Sequence, residues 1–247
     1  MPFTSWRGLV GLIKPTRRPG SLEELVRMLP EGVGLIPCLL NVRGGTLEEF
    51  KAAPPYYEEQ VKMLAADGAD LIICSGTPPF MLLGRKREAA LVRGWERKYK
   101  TKIFSQGMTH ANALRALGVK RFVGASYSAL QNEIVVKYMT QAGFDIADMR
   151  PIEVPFDQVG QLSPEQVYGH IKKMCAGVKR FDGIYIQGGG WRMTPIIETL
   201  ERDLGVPVMI SSAADCWEIQ HALSIHQPVQ GLGRLLAELP PPKPPWK

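Results

Sequence analysis

Two similar stretches decide the fold: LIICSGT at residues 71–77 and GIYIQGGG at residues 183–190. In each stretch a run of apolar residues leads into a turn of small residues, and a helical pattern follows. An apolar run without alternation is typical of a strand that is buried on both faces of a parallel sheet. We therefore predict that each stretch forms a central strand of its own sheet.

Six further runs of strand length surround these two, and helical patterns lie between them. The predicted strands are 10–14, 33–40, 71–74, 102–105, 121–125, 145–153, 183–187 and 206–211, and the predicted helices are 56–68, 91–100, 111–118, 128–143, 164–178 and 195–205. This alternation predicts an α/β protein with a mainly parallel sheet.

Eight strands fit either one closed barrel or two open sheets. The similarity of the two stretches favours two sheets, each belonging to one half of the chain. We predict a first half of residues 1–108 plus 216–247 and a second half of residues 109–215. A ligand would then bind in the crevice outside the carboxyl ends of the strands.

The composition excludes several classes of protein. A net charge of +6 in 247 residues is compatible with nucleic-acid binding, but the cations alternate with acidic residues, which is typical of solvated helix faces. No apolar run approaches the ~18 residues that span a bilayer. We therefore expect neither a nucleic-acid partner nor a membrane partner, and the oligomeric state stays open, a homo-oligomer included.

Cofactor and disulfide patterns are also missing from the sequence. The four cysteines, Cys38, Cys74, Cys175 and Cys216, form no CxxC pair, which argues against a zinc site and against a disulfide framework. Neither a GxGxxG fingerprint nor a P-loop occurs, so NAD and ATP are not supported. We expect a protein of the reducing cytoplasm.

The turns that follow the two central strands are candidates for anion binding. Gly188, Gly189 and Gly190 would let the backbone approach a ligand closely, although a tight packing turn would need the same residues. Thr77 in the partner turn offers a hydroxyl, which either contacts a ligand or only caps the next helix.

Cations follow the first predicted strand. Lys14, Arg17 and Arg18 lie at the mouth of the predicted crevice, where they suit an acidic substrate. Since Arg17 and Arg18 are adjacent in sequence, we expect only one of them to point inward.

Three further polar residues lie near strand ends. The Tyr127 hydroxyl would donate a hydrogen bond to a carboxylate or an oxyanion, or else its ring only packs in the core. Asn132 lies about one helical turn further on, and His110 lies near the start of a helix at the same edge of the sheet. We treat all three as candidate site residues.

The order and spacing of these motifs resemble the aspartate/glutamate racemase superfamily, most closely its arylmalonate decarboxylase and maleate cis-trans isomerase branch. The segments that carry the resemblance are 11–15, 71–80, 113–119, 127–133, 182–190, 204–212 and 231–235. The resemblance implies two Rossmann-like parallel-sheet domains related by a pseudo-two-fold axis. It also implies an active site in the cleft between them, with neither a metal nor an organic cofactor.

The resemblance breaks at the residues that carry the family's chemistry. In the family a cysteine on each of the two central turns faces the substrate carbon, and these two positions fall on Gly76 and Gly188. The decarboxylase branch also has glycine at the first position but keeps the second cysteine. Cys74 would replace a thiol only after a small register change, and otherwise it is a buried strand residue.

The anion-binding part of the family site is better kept. The carboxylate-binding residues correspond to Thr77 and Tyr127, with backbone amides from Gly189 and Gly190. Pro78 stands where the family has a hydroxyl, so one donor is lost, and a cation from the loop after the first strand would replace it.

Retained anion donors without thiols favour a cofactor-independent, decarboxylase-like lyase that acts on a small carboxylic acid. Thr77, Tyr127 and Gly189 would stabilise an enolate-like intermediate. The proton would come from His110, Tyr127, Lys14 or water.

Three alternatives stay open at the level of the sequence. The glycine turn would serve as the oxyanion hole of a hydrolase or hydratase, with Asp215 or Glu133 activating water. Isomerase or racemase chemistry would proceed through Cys74. In the third alternative, the protein is not an enzyme and binds a small acid without converting it.

Overall fold

The structure, a computed structural model, describes residues 5–245 and contains two four-stranded parallel sheets. The first sheet has the strand order β2-β1-β3-β4 and the second has the order β6-β5-β7-β8. The strands are β1 (Gly8–Lys14), β2 (Val33–Leu39), β3 (Leu71–Cys74), β4 (Lys102–Ser105), β5 (Arg121–Ser126), β6 (Asp145–Pro151), β7 (Gly183–Ile186) and β8 (Val208–Ile210). The predicted α/β fold with two parallel sheets is confirmed, and every predicted strand end lies within two residues of the observed one.

Helices surround the two sheets. They are α1 (Ser21–Met28), α2 (Leu47–Ala66), α3 (Thr77–Met81), α4 (Arg85–Tyr99), α5 (Gln106–Ala116), α6 (Ala129–Gln141), α7 (Pro164–Ala176), α8 (Ile197–Leu204), α9 (Ser211–Ala222) and α10 (Arg234–Glu238), with a 3-10 turn at Val159–Gln161. None of the helices within residues 5–245 is long and apolar enough to cross a membrane.

Three helices begin earlier than predicted, and three others were not predicted. Helices α2, α4 and α5 begin nine, six and five residues before their predicted starts. A capping box of Thr46 and Glu49 fixes the first turn of α2, and the helix continues through Pro54 and Pro55. Helices α1, α9 and α10 were not predicted, and the longest of them is α9. The first ten residues of α9 are all buried, so none of them belongs to a solvent-exposed polar face. The 3.6-residue hydrophobic period that marks a surface helix is therefore absent.

Helices α5 and α9 connect the two halves of the molecule. They follow the last strands of the first and second sheets and pack against each other. The boundaries predicted for the two halves fall inside these helices, and one apolar cluster contains residues of both sheets, such as Ile73 and Ile184. The halves therefore share a core, and their division at these boundaries stays a prediction.

Candidate active site

A cavity of about 290 Å³ lies between the carboxyl ends of the central strands of the two sheets. This volume suits a small organic ligand. Its polar lining consists of Lys14, Thr16, Arg18, Ser21, Ser75, Thr77, Gln106, Tyr127, Gln131, Asp157, Gln161, Gln187, Ser211, Ser212 and Asp215. Its large apolar side chains are Leu12, Leu25, Phe50, Phe156 and Val159. Charged and apolar surfaces therefore meet within one cleft.

The structure brings most of the predicted site residues to this cavity. Those that line it are Lys14, Arg18, Gly76, Thr77, Pro78, Tyr127, Gly188, Gly189 and Gly190. Arg17 is exposed and does not line the cavity, whereas its neighbour Arg18 does. His110 and Asn132 are also absent from the lining.

His110 and Asn132 are held in the protein interior. The His110 Nδ1 lies 2.8 Å from the Tyr185 hydroxyl, and complete burial lowers the pKa of His110 to about 3, so the ring is neutral at pH 7. Asn132 accepts a hydrogen bond from Ser126 Oγ and donates to the Met149 carbonyl at 3.0 Å, which ties α6 to β5 and β6. Neither side chain is placed to contact a ligand in the cavity.

Gly76 and Gly188, the positions at which the resemblance places the family's cysteines, have no room for a side chain. Gly76 and Gly188 have φ angles of +94° and +91°, a region that favours glycine. A β-carbon on residue 76 would lie 2.5 Å from Pro15 Cγ, and one on residue 188 would lie 1.7 Å from the Tyr127 hydroxyl oxygen. The Tyr127 hydroxyl therefore occupies the space in which a side chain on residue 188 would begin.

No cysteine within residues 5–245 lines the cavity. Cys74 belongs to the second apolar cluster, together with Ile13 and Ile72, whereas Ile73 belongs to the first cluster. Cys74 and its neighbour Ile73 thus face opposite sides of the sheet. Burial raises the pKa of the Cys74 thiol far above its usual range, which disfavours the reactive thiolate. Isomerase or racemase chemistry through Cys74 consequently lacks its nucleophile at this site.

Several hydrogen-bond donors in the cavity are free to bind an anion. The Thr77 hydroxyl accepts a hydrogen bond from Gln187 Nε2, so its own proton is available to a ligand. The amides of Thr77, Gly189 and Gly190 and the Tyr127 hydroxyl make no hydrogen bond to any other residue that the structure describes. Free donors of this kind can form an oxyanion hole.

Two cations contribute to the same cavity. Lys14 is buried, which lowers its pKa, and its Nζ donates to the Arg18 carbonyl at 3.1 Å. The Arg18 guanidinium donates to the Phe156 carbonyl and lies 4.0 Å from the centroid of the Phe156 ring and 5.5 Å from that of Tyr127. A ligand with negative charge is therefore favoured.

Asp215 and Gln106 also line the cavity. Sequence reasoning named Asp215 only as an alternative acid for activating water, and it missed Gln106. Asp215 Oδ1 accepts a hydrogen bond from Thr109 at 2.8 Å, and Oδ2 accepts one from Gln106 Nε2 at 2.7 Å. Burial raises the pKa of Asp215 to about 7. Gln106 Oε1 accepts from the Gly76 amide at 2.8 Å. The only signal in the sequence is an acidic residue in the otherwise uncharged run 211–217.

Two parallel sheets with a cavity between them, lined by cations and free hydrogen-bond donors, define the class of this protein: a two-sheet α/β protein with a cleft suited to a negatively charged ligand. The sequence model described as arylmalonate decarboxylase matches residues 11–236, and the chain belongs to this family. The predicted branch of the superfamily is thereby confirmed, as is an enzyme of the lyase or isomerase type.

Individual relatives are distant. The maleate isomerase of Nocardia farcinica is 32% identical over 128 residues, which are 51% of this chain and about half (50%) of that protein's length. The arylmalonate decarboxylase of Bordetella bronchiseptica is 23% identical over 232 residues, covering 93% of this chain and 96% of the relative. A crystal structure of a maleate isomerase variant from Pseudomonas putida S16 with maleate has a TM-score of 0.84 at 21% identity and covers 93% and 97% of the two chains.

Proposed function

We propose that this chain is a cofactor-independent decarboxylase without a cysteine nucleophile, and that its substrate is a small acid with two carboxylates on one carbon. The observation that carries the proposal is the set of free donors and cations around a cavity that no described cysteine lines. Family membership and the names of the relatives, which act on malonates and maleate, support a carboxylate substrate.

The free donors would bind the carboxylate that stays on the substrate. The Thr77 hydroxyl and the amides of Gly189 and Gly190 would donate to its oxygens, with the Tyr127 hydroxyl as a further donor. When the second carboxylate leaves as CO2, its electron pair moves into the retained carboxylate and forms an enediolate. The same donors would then stabilise the additional negative charge, which develops in the transition state and is complete in the enediolate.

The apolar part of the cavity would receive the leaving group. Leu12, Phe50 and Val159 line the cavity and offer no hydrogen bonds. A carboxylate placed there loses hydration, whereas neutral CO2 does not need it, so this wall would favour loss of CO2. The cations Lys14 and Arg18 would attract the dianionic substrate to the cleft.

The test is turnover of a panel of substituted malonates and unsaturated dicarboxylates, followed by mass spectrometry. We expect release of CO2 from at least one malonate, and we expect Tyr127→Phe to lower kcat about 10²–10³-fold, the usual effect of losing one oxyanion donor. Tyr168→Phe is the matched control, because the Tyr168 hydroxyl binds Asp203 at the surface. Full activity of Tyr127→Phe, or no turnover of any malonate, would refute the proposal.

A second candidate is hydration or hydrolysis, and Asp215 is the observation that favours it. A buried carboxyl whose pKa lies near 7 is able to activate water at a carbonyl or an alkene. Turnover in ¹⁸O-labelled water separates the two reactions. Incorporation of the label into the organic product indicates hydration or hydrolysis, and its absence from that product indicates decarboxylation.

A further inference from the structure

Asp215 is a buried acid without a cationic partner. Its side chain is 2% exposed, and no lysine or arginine within the described part of the chain forms an ion pair with it. Burying an unpaired carboxyl is unfavourable, and this protein keeps one on a fully buried helix. Stability alone therefore does not explain the residue.

A second acid on the same helix shows what is particular to Asp215. Glu218 lies three residues further along α9, is 5% exposed, and accepts a hydrogen bond from Asn112 at 2.8 Å. Burial raises the pKa of both carboxyls to about 7. Asp215 lines the cavity and Glu218 does not, so the two differ in access to a ligand.

Gln106 fixes Asp215 relative to the Gly76 turn. Its Nε2 donates both to Asp215 Oδ2 at 2.7 Å and to Ser75 Oγ at 3.1 Å, while its Oε1 accepts from the Gly76 amide at 2.8 Å. Tyr127 meets the other central turn at Gly188. Asp215 is thus linked through Gln106 to the Gly76 turn, and the Tyr127 hydroxyl lies at the Gly188 turn, so each central turn has one polar cavity-lining side chain associated with it.

We propose that Asp215 is the acid that protonates the substrate carbon after decarboxylation. This inference rests on the proposed function and names its proton donor. The bond to the departing carboxylate breaks, and its electron pair remains on the substrate as an enediolate. The O–H bond of the Asp215 carboxylic acid then breaks as a C–H bond forms, and the aspartate takes a proton from water before the next turnover.

The surroundings of Asp215 determine when it carries that proton. Burial and the charge of Glu218 favour the protonated form, whereas hydrogen bonds from Thr109 and Gln106 favour the charged form. Two titratable groups on neighbouring helices are His110 on α5 and Glu24 on α1, and Ser212 donates a hydrogen bond to Glu24. Cys216 follows Asp215 on α9, and Lys14, Arg18, Tyr127 and Asp157 line the same cavity. As a general acid, Asp215 would be active below pH 7 and would lose activity as the pH rises further.

The experiment compares Asp215→Asn with Glu218→Gln on the best malonate of the panel. We expect Asp215→Asn to lower kcat about 10²–10⁴-fold, the usual contribution of a general acid, with KM changed less than about threefold. It should also remove the loss of kcat above pH 7. Glu218→Gln should keep kcat within about threefold and retain that loss, at a slightly lower pH because a nearby negative charge is removed. Wild-type kcat and an unchanged pH profile in Asp215→Asn would overturn the inference and leave the proposed function standing.

A binding measurement on the unaltered protein tests Asp215 without turnover. The Asp215 carboxyl is followed by ¹³C NMR in aspartate-labelled protein, with assignment by Asp215→Asn. Methanedisulfonate serves as the ligand, because it carries two anionic groups on one carbon, stays a dianion throughout the titration and cannot lose CO2. We expect the ligand to raise the pKa of Asp215 by at least one unit, because its negative charge disfavours the aspartate. An unchanged titration in protein saturated with methanedisulfonate would overturn the inference, even if no malonate is turned over.

Discussion

At the scale of single residues, the Tyr127 hydroxyl and Gly188 depend on each other. The hydroxyl lies 1.7 Å from the place of a β-carbon on residue 188, so tyrosine in this position requires glycine there. Gly190 has nearly the same φ, +89° against +91°, but a β-carbon on it would meet nothing closer than 3.9 Å. Substituting each glycine in turn therefore distinguishes the effect of the contact with Tyr127, which only residue 188 makes, from the effect of the positive φ, which both residues share.

We expect Gly190→Ala to lower the free energy of unfolding by about 1–2 kcal/mol, because a positive φ strains any residue with a β-carbon. Gly188→Ala should lose about 1–3 kcal/mol more, since overpacking against Tyr127 adds to the same strain. Urea denaturation of both variants measures the difference. Equal losses in the two variants would mean that Tyr127 moves aside without cost.

At the scale of elements, the start of α2 organises the loop before it. Glu49 accepts hydrogen bonds from the amides of Arg43, Gly44 and Thr46 at 2.9, 3.0 and 3.1 Å, and Thr46 caps the helix in return. Gly45 in this loop packs so closely on Phe156 that a β-carbon would lie 2.7 Å from the Phe156 ring. The cap of α2 therefore supports a side chain that lines the cavity.

We expect Glu49→Ala to reduce the free energy of unfolding by about 1–2 kcal/mol, as for the loss of a helix cap. Glu48→Ala is the matched control, because Glu48 lies in the same turn and accepts no hydrogen bond from these amides. Urea denaturation of both variants provides the measurement. A loss in Glu48→Ala as large as that in Glu49→Ala would show that the negative charge of the first turn matters and the cap does not.

At the scale of the whole molecule, buried acids make stability depend on pH. Burial raises the pKa of Asp215 and of Glu218 to about 7, and it also raises the pKa of Glu24, Glu88 and Glu201. In the unfolded chain such groups lose their proton near pH 4, so the folded state binds more protons between about pH 4 and 7. The stability that these acids contribute is therefore lost as the pH rises through that window.

Glu218→Gln tests this dependence without touching the cavity lining. Relative to the original protein, we expect the free energy of unfolding of the variant to increase by about 2–3 kcal/mol between pH 5 and pH 8, from two pKa units at 1.36 kcal/mol each. The titration of His110, whose lowered pKa acts in the opposite direction, is common to both proteins and cancels in the comparison. If the free energies of unfolding of Glu218→Gln and of the original protein differ by the same amount at pH 5 and pH 8, Glu218 is not protonated in the folded state at pH 5.

The sequence by itself determined the strands and the location of the site. Apolar runs mark β3 and β7 because strands buried on both faces contain few polar residues. The carboxyl ends of parallel strands meet at one edge, so Thr77 and the glycine turn could be assigned to one cleft before any contact was known. These features depend on local composition and on the order of elements, which a single sequence displays.

Only the tertiary structure decided which side chains enter that cleft. His110 and Asp215 lie on α5 and α9, helices that pack against each other, yet only Asp215 lines the cavity. Helix α9 is buried on all sides, so no periodicity revealed it, and its acid became a candidate proton donor only through contacts with Thr109 and Gln106, more than 100 residues away in sequence. The approach of Tyr127 to Gly188 likewise joins residues that are 61 positions apart. Such contacts are set by how helices and strand ends pack in three dimensions, and neither composition nor spacing along the chain contains that information.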